Sequence, residues 1–304
     1  MVEPEAILAA LGYAADTSYS WEPFGETPGS PVRLFIEGIR PLEVVVREPA
    51  EREAAENHIA VVEALNARGF NAAPKAIATV GLAVVEEAVP GATAMQLVPA
   101  PGSAESAMEA LAALHSLPLR EGLDWGREPS EMFPSGELPL HRLGFAGAER
   151  EPAREPLAEA HRHLLGATFG FAHRNAVAAN IVLAPGEAWL CDFSTAGFGP
   201  QLFDVAAFLL TSGIEAAGRR ALSATYAQKR GLSATETVDA VDELGILWGI
   251  NWLLEVPRRL ITSLGDDSAT DSLKLATGRI ERGIRQAAGD SPTASAIRAA
   301  LWRS

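Results

Sequence analysis

The sequence predicts an α+β protein with two lobes, a β-rich N-terminal lobe over residues 1–88 and a larger, mainly helical C-terminal lobe over residues 89–304. Three observations support this division. Apolar runs rich in β-branched residues come in pairs before residue 88, with one helical segment between the pairs. From residue 214 onward, apolar residues recur at helical spacing in one segment after another. Between these regions, a short strand–turn–strand unit spans residues 181–191.

The composition excludes several classes of protein. Hydrophobic residues make up 48% of the 304, which allows a sizeable core and excludes a disordered chain. A formal net charge of −14 argues against nucleic acid as a partner, because its phosphates would be repelled. The same charge suits a cationic small substrate, but acidic surfaces also serve solubility alone, and both explanations stay open.

The cysteine count and the apolar runs predict the compartment. Cys191 is the only cysteine, so no intrachain disulfide can form, and its apolar surroundings predict an inert thiol in the core. The acidic N-terminus shows no signal-peptide pattern. The longest apolar run, residues 244–254, is too short to cross a bilayer and contains Asn251. We therefore expect a cytoplasmic protein with no membrane partner; the sequence does not specify an oligomeric state.

The N-terminal lobe begins with a predicted helix over residues 5–11 and a pair of strands over residues 32–36 and 42–47. Residues 20–31 lie between the helix and the strands, and they contain Gly25 and Gly29 among several prolines. This segment is either a plain turn or a weak form of a glycine-rich loop that covers phosphates. Its prolines favour the turn, because they remove N–H donors.

Two charged residues follow in the same lobe. Arg47 closes the second strand, and Glu56 lies on the flank of the apolar face of a helix predicted over residues 51–67. Each has two interpretations. Arg47 is either a solvated residue at a strand end or a cation that grips phosphate in a fork, and Glu56 is either a solvated flank residue or the partner of that cation.

The lobes are expected to join near residue 88. Two more strands precede this point, and a stretch rich in proline and glycine over residues 88–103 is the candidate hinge. The elements predicted next are a helix over residues 104–116 that ends with His115 as a core residue, a surface connection over residues 120–156 and a helix over residues 157–165. The two strands before the hinge are predicted at residues 75–78 and 82–86.

The central stretch of the chain carries the polar residues of greatest interest. Two short apolar strands at residues 181–183 and 188–191 are separated by a turn, which predicts a hairpin. Such a hairpin brings its two ends together, and these ends carry Asn180 and Asp192. An amide oxygen and a carboxylate are hard ligands that suit Mg²⁺, although any hairpin can carry an Asn and an Asp. His173 is expected to pack and hold the loop rather than to catalyse.

The remaining segments predict mostly helix. Residues 194–200 are rich in glycine and predict a turn, and Asp204 stands at the start of the next helix, where its carboxylate would cap backbone donors. Helices follow from residue 214, with a break at residues 263–268. Trp248 and Trp252 form either a core pair or part of a substrate wall. Four acids form either a solvated helix face or the lining of a cation pocket: Asp239, Asp242, Glu243 and Glu255.

Four short segments together resemble the aminoglycoside phosphotransferase and choline kinase superfamily, which has a protein-kinase-like fold. They are LAALH at 111–115, HRNAVAAN at 173–180, CDF at 191–193 and FDVA at 203–206. The spacing from His173 to Asn180 matches the kinase motif H-R-D-x-x-x-x-N position for position. One letter differs, because Asn175 stands where the family has its catalytic Asp. The likeness covers roughly residues 32–210.

The resemblance implies a two-lobed, protein-kinase-like fold, with ATP and Mg²⁺ as cofactors and a small molecule as substrate. By this resemblance Asn180 and Asp192 are the metal ligands, and Asn175 stands at the catalytic position. Arg47 and Glu56 would be the ion pair of the N-terminal lobe.

The resemblance also implies where the nucleotide base lies. Backbone groups near Glu86, Glu87 and Ala88 would hold adenine at the hinge.

Two functions are consistent with these residues. The first is an ATP-dependent phosphotransferase that acts on the hydroxyl of a small molecule, with Asn175 orienting the acceptor. The second is a catalytically silent relative that binds a nucleotide or metabolite. Asn175 favours the second, because an amide can accept a hydrogen bond from a hydroxyl but cannot take its proton at neutral pH. Asn180 and Asp192 favour the first, although binding of MgATP without turnover would use the same ligands.

Overall fold

The computed structural model describes residues 2–14, 16–24, 31–37, 41–49, 51–96, 99–118, 169–254 and 267–290. Several expectations lie outside the described residues: the glycine pair Gly25 and Gly29, the surface connection over residues 120–156, the helix over residues 157–165, Glu255 and most of the break at residues 263–268.

The N-terminal part of the chain forms an antiparallel sheet with strand order β1-β2-β3-β5-β4. The strands are β1 Tyr19–Pro23, β2 Val32–Ile36, β3 Leu42–Arg47, β4 Ala76–Val80 and β5 Ala83–Glu87. Four of the five strands are predicted by the sequence. The prediction of a plain turn from residue 20 is wrong, because residues 19–23 pair with β2 from Tyr19↔Ile36 to Pro23↔Val32. β1 lies at the edge of the sheet, where a proline costs no ladder hydrogen bond.

Two helices flank this sheet. Helix α1, Pro4–Ala10, buries Ile7 and Leu8 in a core cluster that also contains sheet residues such as Leu34 and Val85. Helix α2, Arg52–Ala67, buries its apolar residues in the other, larger core cluster, which it shares with the C-terminal part of the chain. Helix α2 is therefore packed with the helical lobe as well as beside the sheet.

The C-terminal part combines helices with two small sheets. The helices are α3 Pro101–His115, α4 Leu202–Thr211, α5 Ala216–Arg230, α6 Ala234–Leu254 and α7 Asp267–Asp290. The strands are β6 Ala92–Thr93, β7 Phe169–Ala172, β8 Ile181–Ala184, β9 Glu187–Leu190 and β10 Gly197–Pro200, and a short 3-10 turn covers Ala178–Asn180. Strands β6, β8 and β9 form one sheet, and β7 pairs with β10 in the other.

Strand β10 is a second correction, because the glycine-rich segment at residues 194–200 was predicted as a turn. Residues 197–200 pair antiparallel with β7, with Gly197 opposite Ala172 and Pro200 opposite Phe169. Glycine has low strand propensity, so the sequence gives no strand pattern here. The pairing is determined by contacts with a distant part of the chain.

Helix α4 is the most buried element of the helical lobe. Nine of its ten residues are buried, and it packs against α6, α7 and α3. No helix within the described ranges is long and apolar enough to cross a membrane. The predicted fold class is confirmed: an antiparallel sheet lobe is followed by a mainly helical region.

Candidate active site

The β8–β9 hairpin brings Asn180 and Asp192 to one end, as the sequence predicts. Ile181 lies opposite Leu190, and the Cys191 N–H donates to the Asn180 carbonyl at 2.8 Å. The turn at the other end contains Gly186, whose φ of +78° favours glycine. Asp192 follows the last backbone pair directly and has a φ of +65°, which is uncommon for a residue with a side chain. The chain thus bends sharply where this carboxylate leaves the hairpin.

Each of these two residues has one side-chain oxygen that accepts no hydrogen bond from the described part of the chain. The Asn180 Nδ2 donates to the Asn175 carbonyl at 2.9 Å, which fixes the orientation of the amide and leaves its Oδ1 as an acceptor. The Asp192 Oδ1 accepts from the Ser194 hydroxyl at 2.7 Å and from the Ser194 N–H at 3.3 Å. Its Oδ2 accepts no hydrogen bond from the described part of the chain. One amide oxygen and one carboxylate oxygen fit the donor set of Mg²⁺.

The electrostatic surroundings of Asp192 keep it ionised. Burial acts to raise the pKa of Asp192, but the positive charge of Arg47 and the hydrogen bond from Ser194 outweigh it, so the pKa lies below its usual value. No cluster of three or more His, Cys, Asp or Glu side chains suited to a metal occurs among the described residues. A divalent ion at Asn180 and Asp192 would therefore complete its shell with water and ligand oxygens, as Mg²⁺ commonly does with phosphates.

Arg47 does not pair with Glu56, and this expectation is wrong. Its Nε donates to the Glu86 Oε2 at 2.6 Å, whereas Glu56 is exposed and pairs with Arg52 at 3.2 Å. The cause is the sheet register. Glu86 on β5 lies opposite Val45, two residues before Arg47, so the Glu86 and Arg47 side chains project from the same face of the sheet.

Glu86 is correspondingly part of the interior. It is 1% exposed; burial acts to raise its pKa, but Arg47 and His58 outweigh this and lower the pKa. Its carboxylate is therefore engaged within the protein. The Glu87 N–H is also engaged, because it donates to the Lys75 carbonyl at 2.9 Å. Ala88 follows the end of β5, and its contact with adenine stays a prediction.

Helix α2 contacts the segment after Asp192 through two neighbouring residues. The Asn57 Nδ2 lies 3.3, 3.0 and 2.9 Å from the carbonyl oxygens of residues 193, 194 and 196. The His58 Nδ1 accepts from the Phe193 N–H at 3.1 Å, so this nitrogen carries no proton. The His58 Nε2 lies 3.2 Å from the Glu86 Oε1, though poorly aligned for a hydrogen bond. Asn57 and His58, rather than Glu56, thus link the helix to the loop.

Asp204 is not a helix cap, which corrects a further expectation. Its side chain makes no capping bond to α4 and instead reaches the loop that carries Asn175. The Asp204 Oδ2 accepts from the His173 N–H at 2.6 Å, and its Oδ1 accepts from the Arg174 N–H at 2.8 Å. A carboxylate that is 1% exposed therefore fixes the backbone immediately before Asn175.

The remaining contacts of Asp204 extend to helices α3 and α5. The His115 Nε2 lies 3.0 Å from the Asp204 Oδ2, and the His115 Nδ1 lies 2.8 Å from the Tyr226 hydroxyl. Burial lowers the pKa of His115, although Asp204 opposes this. Gln201 donates to the carbonyls of His115 and Phe171. The sequence reasoning missed Gln201 and Tyr226; the only available indication was the polar character of residues within apolar helical segments.

His173 has the structural role that the sequence predicts. Its ring is fully buried, donates through Nε2 to the Cys191 carbonyl at 3.0 Å and lies 4.7 Å from the ring of Phe193. Burial lowers the pKa of His173. Cys191 is also buried, and burial raises the pKa of its thiol to about 12, which makes it unreactive.

Two of the acids considered for a cation pocket, Asp242 and Glu243, are buried in the helical lobe. Arg220 on α5 lies 2.8 Å from Asp242 and 3.6 Å from Asp239. Trp248 and Trp252 are partly buried and pack against the large core cluster. Asp242, Glu243 and the two tryptophans therefore contribute to packing within the helical lobe, whereas Asp239 is about half exposed and Glu255 lies outside the described residues.

Comparison with known proteins identifies the family and the fold. The model of the phosphotransferase enzyme family matches residues 29–244, well over half of the chain. No curated protein matches the sequence. A choline/ethanolamine kinase family protein from Mesorhizobium loti is similar in structure, with 17% identity and a TM-score of 0.61, covering 93% of this chain and 92% of its own.

Two further solved structures have the same fold. An aminoglycoside phosphotransferase from Alicyclobacillus acidocaldarius shares 14% identity, with a TM-score of 0.58 and 97% coverage of both chains. A choline kinase from Streptococcus pneumoniae shares 15% identity, with a TM-score of 0.57, covering 90% of this chain and 94% of its own. At these identities the likeness shows a shared fold, and the family model carries the assignment. The chain belongs to the phosphotransferase enzyme family.

Proposed function

We propose that this protein transfers the γ-phosphoryl group of ATP to a hydroxyl of a small molecule, with Mg²⁺ held by Asn180 and Asp192. The observation that carries the proposal is a pair of side-chain oxygens, Asn180 Oδ1 and Asp192 Oδ2, that accept no hydrogen bond from the described part of the chain and belong to residues at one end of a hairpin. Ionised Asp192 would bind the cation strongly, and the hydrogen bond from Asn180 to Asn175 keeps the amide oxygen available.

The residues around the pair have distinct tasks in this reaction. Mg²⁺ held by Asn180 and Asp192 would neutralise the negative charge that develops on the phosphates. Arg47 provides a fixed positive charge that acts on Asp192 and, in the proposal, on the phosphates. Glu86 holds the Arg47 guanidinium in place through Nε. Asp204 fixes the backbone before Asn175, so that the Asn175 side chain can orient the acceptor hydroxyl.

Asn175 limits the rate in this mechanism. Its amide can accept a hydrogen bond from the acceptor but cannot remove the proton, and a missing general base typically costs about 10²–10⁴ in rate. That factor corresponds to roughly 3–5 kcal/mol at about 1.36 kcal/mol per decade. A loose phosphoryl-transfer transition state depends mainly on positioning and charge, so slow turnover remains compatible with this site.

A catalytically silent protein that binds MgATP is the second candidate, and Asn175 is the observation that favours it. Turnover of Asn175→Asp separates the two. If the protein is a slow phosphotransferase, the wild type releases ADP above the background rate, and Asn175→Asp does so about 10²–10⁴ times faster. If it is silent, only the variant turns over.

A coupled ADP-release assay with a panel of small hydroxyl compounds measures this difference. Asn71→Asp is the matched control, because it makes the same chemical change at an exposed residue. Activity in neither the wild type nor Asn175→Asp, in preparations that bind MgATP, contradicts the proposed transfer reaction.

A further inference from the structure

Arg174, which precedes Asn175, has a backbone conformation that residues with side chains rarely adopt. Its φ is +62°, within the left-handed region that residues other than glycine rarely adopt. The buried Asp204 carboxylate fixes this conformation by accepting from the N–H groups of His173 and Arg174 at 2.6 and 2.8 Å. Glycine would meet the same backbone requirement without strain. The fold alone therefore does not explain why this residue is an arginine and not a glycine.

The arginine side chain lies along one face of strand β10. Gly197 and Gly199 are two residues apart, so their missing side chains belong to the same face of the strand. A Cβ built on Gly197 would lie 3.5 Å from the Arg174 Nη1, and one on Gly199 would lie 3.6 Å from its Cδ and Cγ. Side chains larger than alanine on these residues would occupy the space that Arg174 uses.

The guanidinium of Arg174 is exposed and has no acidic partner among the described residues. Its backbone N–H is engaged by Asp204, but no ion pair with its side chain occurs in that part of the chain. Arg47 and Arg220 differ, because each is paired with a carboxylate at 2.6 and 2.8 Å. Within the described part of the chain, Arg174 thus presents a positive charge with no paired acid, and it is adjacent in sequence to the residue that would face the acceptor.

The replacement of aspartate by Asn175 strengthens this charge. An aspartate would place a negative charge one residue from Arg174, whereas the amide is neutral. We propose that Arg174 forms an anion subsite beside Asn175 that binds a carboxylate or phosphate group carried by the acceptor. The inference rests on the proposed function and narrows its substrate class to anionic hydroxyl compounds. A guanidinium suits this task, because its N–H groups can bind such a group in a fork.

The γ-phosphate of ATP is the other source of an anion near this loop, and we assign the subsite to the acceptor. Arg174 is adjacent in the chain to Asn175, the residue proposed to orient the acceptor, and this supports the choice. The two sources are separable. Loss of the Arg174 side chain would weaken the binding of ATP relative to that of ADP if the side chain contacts the γ-phosphate. It would weaken the binding of anionic acceptors if the side chain contacts the acceptor.

The test uses Arg174→Gly, which removes the charge and relieves the backbone, and Arg174→Gln, which keeps a polar side chain. Binding is measured by calorimetry with Mg²⁺ and a non-hydrolysable ATP analogue present. The ligands are glycerol, glycerate, glycerol 3-phosphate and 3-amino-1,2-propanediol, followed by sugars and sugar acids in the same charge classes. Arg285→Gln, an exposed arginine on α7, is the matched control.

We expect anionic compounds to bind to the wild type. Both Arg174 variants should lower the affinity for these compounds about ten- to hundredfold, as the loss of a charged hydrogen bond predicts. Arg174→Lys should restore part of the affinity, and Arg285→Gln should change nothing. Arg174→Gly should also unfold at a higher temperature than the wild type, which excludes misfolding as the cause.

Four results overturn the inference. The first is preferred binding of neutral or cationic compounds, and the second is anion binding that both Arg174 variants leave unchanged. The third is selective loss of ATP binding over ADP binding in those variants. The fourth is the absence of any anionic ligand for a protein that binds MgATP. Failure of the proposed function is a separate result, since it appears as no Mg²⁺-dependent binding of ATP in the wild type.

Discussion

At the residue scale, the ion pair of Arg47 shows how the position of a charged side chain in a sheet determines its partner. The partner of Arg47 lies on the neighbouring strand and not on helix α2. The strand residue Glu86 shares its sheet face and is buried, whereas Glu56 is more than half exposed and pairs with Arg52. The sequence predicts that Arg47 ends a strand, but it does not reveal the register between β3 and β5. The partner depends on that register.

Glu86→Gln should destabilise the protein much more than Glu56→Gln. Removing one partner of a buried ion pair leaves the other charge uncompensated, which typically costs 3–5 kcal/mol, and about 3 kcal/mol is expected here because Arg47 keeps slight exposure. Glu56→Gln should change the free energy of unfolding by less than about 0.5 kcal/mol. Urea denaturation followed by circular dichroism measures both. Equal effects of the two substitutions would show that Arg47 is not held by Glu86.

The buried histidines predict how stability depends on pH. Burial lowers the pKa values of His115 and His173 in the folded state, so the unfolded chain binds more protons below its ordinary histidine pKa of about 6.5. Stability should therefore fall as the pH decreases from about 7 to 5, by at most about 1.4 kcal/mol per pH unit for each histidine. Denaturation at intervals of pH measures the slope. A free energy of unfolding that stays constant or rises on acidification over this range would contradict the assignment.

At the scale of elements, helix α2 and the segment after Asp192 form a unit joined by Asn57 and His58. The sequence predicts the helix from its apolar spacing and the β8–β9 hairpin from its turn. It does not predict the contact between them, because residues 57 and 196 are distant in the chain. It also misses β10, because its glycines have low strand propensity, and β1, because Pro23 ends it and further prolines follow. Local patterns thus predict elements, while long-range pairing decides these cases.

Asn57→Ala should weaken metal binding without unfolding the helix. The substitution removes contacts to three carbonyl groups in the loop that follows Asp192, and alanine has a higher helix propensity than asparagine. We expect the Mg²⁺ concentration needed for half-maximal ATP binding to rise about tenfold, as for other residues that position metal ligands. Asn66→Ala, in the last turn of the same helix, is the control. An unchanged Mg²⁺ requirement in Asn57→Ala would show that the loop is held by other contacts.

At the scale of the whole molecule, the buried Asp204 joins three parts of the helical lobe. It connects helix α4, which carries it, with the loop before Asn175 and with His115 at the end of α3. The sequence suggests a capping role because Asp204 stands at a helix start, and only the packing of α3 against α4 and the loop reveals the actual one. The fold and the meeting of Asn180 and Asp192 at one end of the hairpin are thus predictable from local patterns, whereas the network that positions them is not.

The central claim is that Asn180 and Asp192 bind a divalent ion together with a nucleotide. Titration of ATP with and without Mg²⁺, followed by thermal unfolding, tests it most directly in the wild type, Asp192→Asn and Asn180→Ala. We expect a Mg²⁺-dependent rise in unfolding temperature for the wild type and its loss in both variants, while the surface control Asp271→Asn keeps it. A wild type that shows no Mg²⁺-dependent shift, or an Asp192→Asn variant that shifts as the wild type does, would contradict the account.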